Sequence, residues 1–409
     1  MTLLHLPTET GELYAYRPRT EPAAHAGAPA TADEPGSRVV YAAAHVVADP
    51  FRTAADRPAA LDWEATLAFR RHLWSHGLGV AEAMDTAQRG MGLDWAGAAE
   101  LIRRSSAEAR AEGGRIACGV GTDQLASTEF GHPYGLTEIR AAYEEQLAVV
   151  EDAGSRAVLM ASRALAAVAK GPDDYLEVYG HLLRQAAGPV VLHWLGPMFD
   201  PALEGYWGGT DLDAATSTFL EVVAAHPGKV DGVKISLLDA GREVELRRRL
   251  PDGVRCYTGD DFHYPELIAG DDRGFSHALL GVFDPLAPLA ARAVRLLDDG
   301  DPGGTGDPAG TGDPAGTGGT AGFRALLDPT VELSRHLFGA PTRHYKTGVV
   351  LLAWLAGHQS HFTMVGGLHS ARSLPHLARA YELADRIGLF PDPALAASRM
   401  SRLLSVYGV

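Results

Sequence analysis

The chain is predicted to be an α/β protein, a (β/α)8 TIM barrel with a C-terminal helical extension. Three observations carry that expectation. Eight short apolar runs alternate with amphipathic helical stretches, and such alternation pairs strands in parallel through right-handed crossovers. The Gly-rich dinucleotide fingerprint of a doubly wound open sheet is missing after the first run, which makes closure into a barrel the economical solution. Polar residues then recur where the strands end, as a ring of groups facing one mouth requires.

Residues 1–37 read as an N-terminal arm or tail. They open with a short hairpin around Thr10-Gly11-Glu12 and become Pro/Ala-rich up to Pro35-Gly36. Residues 38–298 carry the barrel. Its strands are expected at Val39–His45, Val80–Met84, Arg115–Gly119, Ala157–Met160, Val190–Trp194, Val230–Ile235, Arg255–Thr258 and Ala278–Val282. Helices are expected to begin near Asp62, Asp94, Thr137, Pro172, Asp211 and Glu243, then after Phe262 and Leu286, with Asp62, Asp94 and Thr137 as N-caps. In the third helix Ile139, Tyr143, Leu147 and Val150 repeat at the spacing of a buried face.

Residues 299–322 contain three tandem hexapeptides, starting at Asp301, Asp307 and Asp313. No apolar side chain longer than Ala or Pro occurs in them, so nothing offsets the ordering entropy, and a flexible surface insertion is expected. Helical patterning returns over residues 323–409, at Phe323–Phe338, Tyr345–His358, Leu374–Gly388 and Pro393–Ser405.

Composition narrows the function. A net charge of −15 argues against nucleic acid or an anionic membrane as partner. Cys118 and Cys256 rule out a disulfide framework and point to a reduced, cytoplasmic setting. The first residues, Met1-Thr2-Leu3-Leu4-His5, show neither the basic nor the apolar segment of a signal peptide. The apolar run Val349–Leu355 falls far short of the roughly 20 residues that a membrane span needs.

Chemistry is expected at the strand ends. These offer His45 and Asp49, Asp85 and Thr86, and Gly121-Thr122-Asp123. Further on come His193, Lys234 with Ser236, Gly259-Asp260-Asp261 with His263, and His277. The chain has only four lysines, Lys170, Lys229, Lys234 and Lys346, and arginine supplies the remaining positive charge. An ammonium in mid-strand is expensive to bury unless it is paired or loses its proton. Lys234 therefore reads as a deprotonatable amine, the alternative being a stem that snorkels to solvent. A lysine on the sixth strand is how a class I aldolase works: the amine attacks a carbonyl and the iminium becomes an electron sink. His193, with an ordinary imidazole pKa near 6.5, is the matching acid/base, the alternative being a hydrogen-bonded core histidine. Asp260-Asp261 reads either as a carboxylate pair or as a turn and helix cap.

Four stretches resemble the dihydrodipicolinate synthase / N-acetylneuraminate lyase superfamily of Schiff-base barrels, in the right order over residues 38–390. Gly232-Val233-Lys234-Ile235-Ser236 is similar to the strand bearing the Schiff-base lysine, and Cys118-Gly119-Val120-Gly121-Thr122 to an Ala-Gly-Thr-Gly turn. Tyr257-Thr258-Gly259-Asp260-Asp261 is similar to a Ser-Gly-Asp-Asp turn, and Pro341–Leu355 to the helical stretch after the barrel. The resemblance implies a lyase or aldolase acting on a small keto-acid or keto-sugar, with no cofactor or metal. It assigns catalysis to Lys234 and His193, and substrate binding to Thr86, Asp85, Gly121, Thr122, Ser236, Asp260 and Asp261. A homodimer or homotetramer is the expected assembly.

The departures point away from dihydrodipicolinate synthesis itself. The family's Gly-Thr-Thr-Gly-Glu loop is here Asp85-Thr86-Ala87-Gln88-Arg89. Its Tyr-Asn-Val-Pro segment is His193-Trp194-Leu195-Gly196-Pro197, with His193 in the tyrosine's place. No arginine follows near Met198-Phe199-Asp200, and the Tyr-Tyr pair after the fourth strand is Arg163-Ala164. Two other readings compete: a metal-dependent barrel hydrolase or isomerase with ligands among His45, Asp49, His193, Asp260 and His277, and a catalytically inactive ligand-binding barrel.

Overall fold

The computed structural model describes residues 3–23, 32–54, 57–125, 134–300 and 319–409. Its order begins with a hairpin of β1 (Leu4–Pro7) and β2 (Leu13–Tyr16), as expected around Thr10. Eight strands follow: β3 (Val40–Ala43), β4 (Gly79–Glu82), β5 (Ile116–Val120), β6 (Arg156–Leu159), β7 (Val190–Leu195), β8 (Val230–Ser236), β9 (Arg255–Thr258) and β10 (His277–Leu280). They close into a barrel in the order β10-β3-β4-β5-β6-β7-β8-β9. Nearly every strand residue is buried, as a parallel sheet covered on both faces requires.

The described residues divide into two compact units, residues 1–78 with 281–409, and residues 79–280. In the first, helix Tyr345–Leu355 is buried along its whole length, so this apolar run is a core helix. The hairpin is fastened within the same unit. The Tyr14 hydroxyl donates to Glu382 at 2.8 Å and the Tyr16 hydroxyl to Asp385 at 2.8 Å, both on helix Leu374–Arg386. The second unit holds β4 to β10 with their intervening helices. The hexapeptide repeats lie outside the described residues.

Asp62 and Asp94 cap their helices as expected, each accepting a backbone N–H three residues on. Thr137 does not, because helix Leu136–Asp152 starts one residue earlier, with Gly135 as its cap and Glu138 closing back on the Gly135 N–H. The helix expected at Glu243 starts at Ala240, because Asp239 accepts from the Arg242 N–H and caps it there. The stretch Phe323–Phe338 is not one helix: Pro329, lacking a backbone donor, falls in a 3₁₀ turn between Gly319–Leu327 and Val331–Leu337.

Candidate active site

Strand β8 sets the geometry. Lys234 lies opposite His193 of β7 on one side and Tyr257 of β9 on the other. Side chains alternate along a strand, and the register shifts between Val190 and Val191, where Asp231 is the extra residue of a bulge. Below Lys234 the strand narrows to Gly232, where a Cβ would lie 2.6 Å from the Tyr257 ring. Above it Gly259 is equally constrained: a Cβ there would meet Ser236 Oγ at 2.1 Å and Lys234 Cε at 2.8 Å. Glycine at these two positions thus makes room for the tyrosine and the lysine.

Lys234 is 8% exposed. Burial lowers its ammonium from 10.5 to about 8, while the carboxylates of Asp261 and Asp85 pull the other way. A free lysine near 10.4 is less than roughly a thousandth neutral at pH 7, whereas one near 8 is about a tenth neutral. The burial that costs stability therefore raises the neutral fraction of the amine.

His193 is 2% exposed. Its Nε2 stands 3.1 Å from Ser236 Oγ, and its Nδ1 has no hydrogen-bond partner among the described residues. Burial, reinforced by the Lys234 charge, holds the ring well below its ordinary range. The group expected to titrate near neutrality is thus a neutral imidazole. It can pass a proton from one nitrogen to the other but does not store one at pH 7.

Asp85 and Thr86 occupy a 3₁₀ turn after β4, bracketed by two non-glycine residues in left-handed backbone, Ala83 at φ 51° and Gln88 at φ 62°. Such strain persists only where the surroundings over-determine it, and it concentrates at functional sites. Asp85 lines the cavity described below; Thr86 is buried and does not. The acidic pair after β9 divides. Asp260 accepts the backbone N–H groups of Phe262 and His263 and meets His263 Nδ1 at 2.9 Å, so it is a turn residue. Asp261, 3% exposed, is the one whose charge acts on Lys234.

A cavity of about 640 Å³ opens beside these groups. His193, Asp85, Gly121 and Thr122 line it, with Lys234 next to His193 by register but not itself in the wall. Thr122 Oγ1 is 2.6 Å from Ser162 Oγ, which caps helix Arg163–Val168. The Ser162 N–H donates to the Tyr206 hydroxyl, which is 2.9 Å from that of Tyr179. Arg89 lines the wall with a filled guanidinium: Asp123 takes it in a fork at 2.6 and 3.1 Å, and the Gly119 carbonyl and Gln146 accept from it. Arg163 pairs with Asp200. Ser162 and Asp200 were missed as site groups, as was the pairing of Arg89 with Asp123, although Asp123 was expected at a strand end and Arg89 and Arg163 as departures from the resemblance. Ser162 left a signal as a cap residue just past a strand end.

The remaining candidates have other partners. His277 opens β10 instead of ending it, and its ring lies 5.6 Å from that of Tyr257. His45 and Asp49 belong to the other unit. There His45 Nδ1 meets Asp284 at 2.8 Å and Nε2 meets Gln359 at 3.1 Å, while Asp49 holds a turn through the Phe51 N–H. Among the described residues, no three His, Cys, Asp or Glu side chains form a metal-ligand group. No helix among them is long and apolar enough to cross a membrane.

The fold defines a class, the (β/α)8 barrels with the architecture of the dihydrodipicolinate synthases. The synthase of Aquifex aeolicus superposes with a TM-score of 0.59 at 14% identity, over 86% of this chain and 98% of that one. That of Thermotoga maritima gives 0.59 at 13%, over 86% and 99%. That of Cyanidioschyzon merolae with lysine bound gives 0.57 at 16%, over 86% and 99%. Identity at this level establishes the fold expected from the resemblance. The chain itself belongs to the family described as protein of unknown function (DUF993), whose model matches residues 4–307 and 313–409. No curated protein sequence matches it.

Proposed function

We propose that the protein is a Schiff-base-forming lyase of the class I aldolase type, acting through Lys234 on a small keto-acid or keto-sugar. The carrying observation is a barrel lysine, 8% exposed and lowered to about 8, in register with a buried imidazole that lines a cavity. As the Lys234 nitrogen bonds to the carbonyl carbon, the C=O bond breaks and its oxygen leaves as water. The ammonium's three protons account for the step, two going to that oxygen and one staying on the iminium. His193 relays them between nitrogen and oxygen, and Ser236 Oγ orients its ring. The iminium then accepts the electron pair of the carbon–carbon or carbon–oxygen bond that breaks. Dihydrodipicolinate synthesis itself is disfavoured by His193, Arg89 and Arg163 in place of the family's tyrosine, glutamate and first paired tyrosine.

Imine formation and hydrolysis exchange a ketone's oxygen with water. The protein should therefore wash ¹⁸O from labelled dihydroxyacetone or pyruvate above the spontaneous rate, and Lys234→Met should return the rate to background. Exchange that persists in Lys234→Met would exclude the mechanism, and no exchange in the native protein would favour the inactive barrel.

A further inference from the structure

We propose that the carbonyl compound taken up by Lys234 is uncharged beside its carbonyl, a hydroxy-ketone or hydroxy-aldehyde of the sugar type, and not a 2-oxo acid. The inference rests on Lys234 being the imine-forming residue and narrows the choice that reading leaves open.

Charge bookkeeping around the attacked carbon decides it. The carboxylate of a 2-oxo acid is bonded directly to that carbon, so it must lie wherever the iminium lies. The charges that act on Lys234 are already two carboxylates, Asp261 and Asp85. Asp261 is 3% exposed, so water screens it little, and Asp85 stands in the cavity wall. A third carboxylate there meets repulsion from both, against one iminium charge.

The described wall of the cavity holds no spare cation to reverse this. Among its described lining residues are two guanidiniums, and each already has a carboxylate: Arg89 is forked by Asp123 and Arg163 is paired with Asp200. With Asp85 the described wall carries three carboxylates against two guanidiniums.

Neutral hydrogen-bonding groups are available instead. His193 Nδ1, in a residue 2% exposed and lining the cavity, has no partner among the described residues. A substrate hydroxyl satisfies that nitrogen whichever tautomer is present, whereas a carboxylate satisfies only the Nδ1–H form. Thr122 Oγ1, bonded to Ser162 at 2.6 Å, adds a second hydroxyl-sized contact. The volume of about 640 Å³ exceeds the need of a three-carbon unit and suits a longer polyol chain.

The test compares borohydride trapping on Lys234 with dihydroxyacetone and with pyruvate, each rate normalised to that of free butylamine. Dihydroxyacetone should be favoured at least about tenfold, and Asp85→Asn should narrow the gap by relieving one repulsion. Equal or faster trapping of pyruvate on Lys234 overturns the inference while leaving the imine mechanism standing. A preference that Asp85→Asn and Asp261→Asn both leave unchanged overturns the charge argument. Failure of both compounds to reach Lys234 removes the underlying reading and this one with it.

Discussion

The two ends of β8 treat charge in opposite ways. At its start Asp231, on the bulge, is saturated: Arg255 and Arg156 reach its two oxygens at 2.5 and 2.9 Å, and the Tyr257 hydroxyl donates at 2.9 Å. Three residues later the burial of Lys234 outweighs the Asp261 and Asp85 charges, so its pKa falls, and the neighbouring imidazole has an Nδ1 with no partner among the described residues. The Tyr257 ring packs at Gly232 between the two. One strand thus carries a matched charge in its first half and a burial-perturbed one in its second. The paired charge is met by its partners, whereas the other is lowered by burial despite two carboxylates.

Removing the matched charge should be the most damaging change. Asp231→Ala leaves Arg156 and Arg255 facing each other, with Arg115 alongside, and a loss of about 3 kcal/mol is expected in urea unfolding. A loss below about 0.5 kcal/mol would mean that the cluster is a solvated surface array.

Lys234→Met should do the reverse, raising stability by about 2 kcal/mol at pH 7 while abolishing imine formation. The sign follows from linkage. Between about 8 and 10.5 the unfolded chain holds a proton on Lys234 that the folded state has released, so native stability rises with pH across that window. The advantage of Lys234→Met should therefore shrink from pH 8 to pH 10. A constant gap would contradict the lowered amine.

Glu243 sharpens the comparison, because it is an under-matched acid. It is 1% exposed, accepts from Ser276 Oγ at 2.7 Å, and burial raises it to about 8. Here the folded state holds the extra proton, so stability should fall as pH rises from 4.5 to 8, by about 1–2 kcal/mol. Glu243→Gln should flatten that slope in unfolding curves recorded at pH 5 and pH 8. The smallest effect is expected from Tyr257→Phe, which deletes one bond to Asp231 and keeps the ring: about 1 kcal/mol, with trapping at Lys234 unchanged. Altered trapping would mean that the two halves of β8 are coupled.

The barrel was legible because its strands are short, buried, largely apolar runs alternating with amphipathic helices, several of which carry a side-chain cap. Lys234 was legible because an ammonium in such a run is anomalous. His193 was found by position, but its protonation was misjudged, since burial is a tertiary property that the ordinary pKa of 6.5 does not contain. The same limit applies to Asp260 and Asp261, adjacent in sequence but separated in role by which way each turns. Arg89 and Arg163 showed only as departures from a resemblance. Their partners, Asp123 and Asp200, lie 34 and 37 residues away, and only the fold brings them together.

The central claim is that Lys234 is a buried amine lowered to about 8 that forms an imine, and one measurement addresses both halves. The rate of borohydride-trapped adduct formation with dihydroxyacetone is followed from pH 6 to pH 11, the modified lysine being located by peptide mass spectrometry. The account expects the adduct on Lys234, with a rate that climbs and levels off through about pH 8. A rate still climbing toward pH 10.5, or an adduct shared among Lys170, Lys229 and Lys346 with Lys234 unmodified, would contradict it.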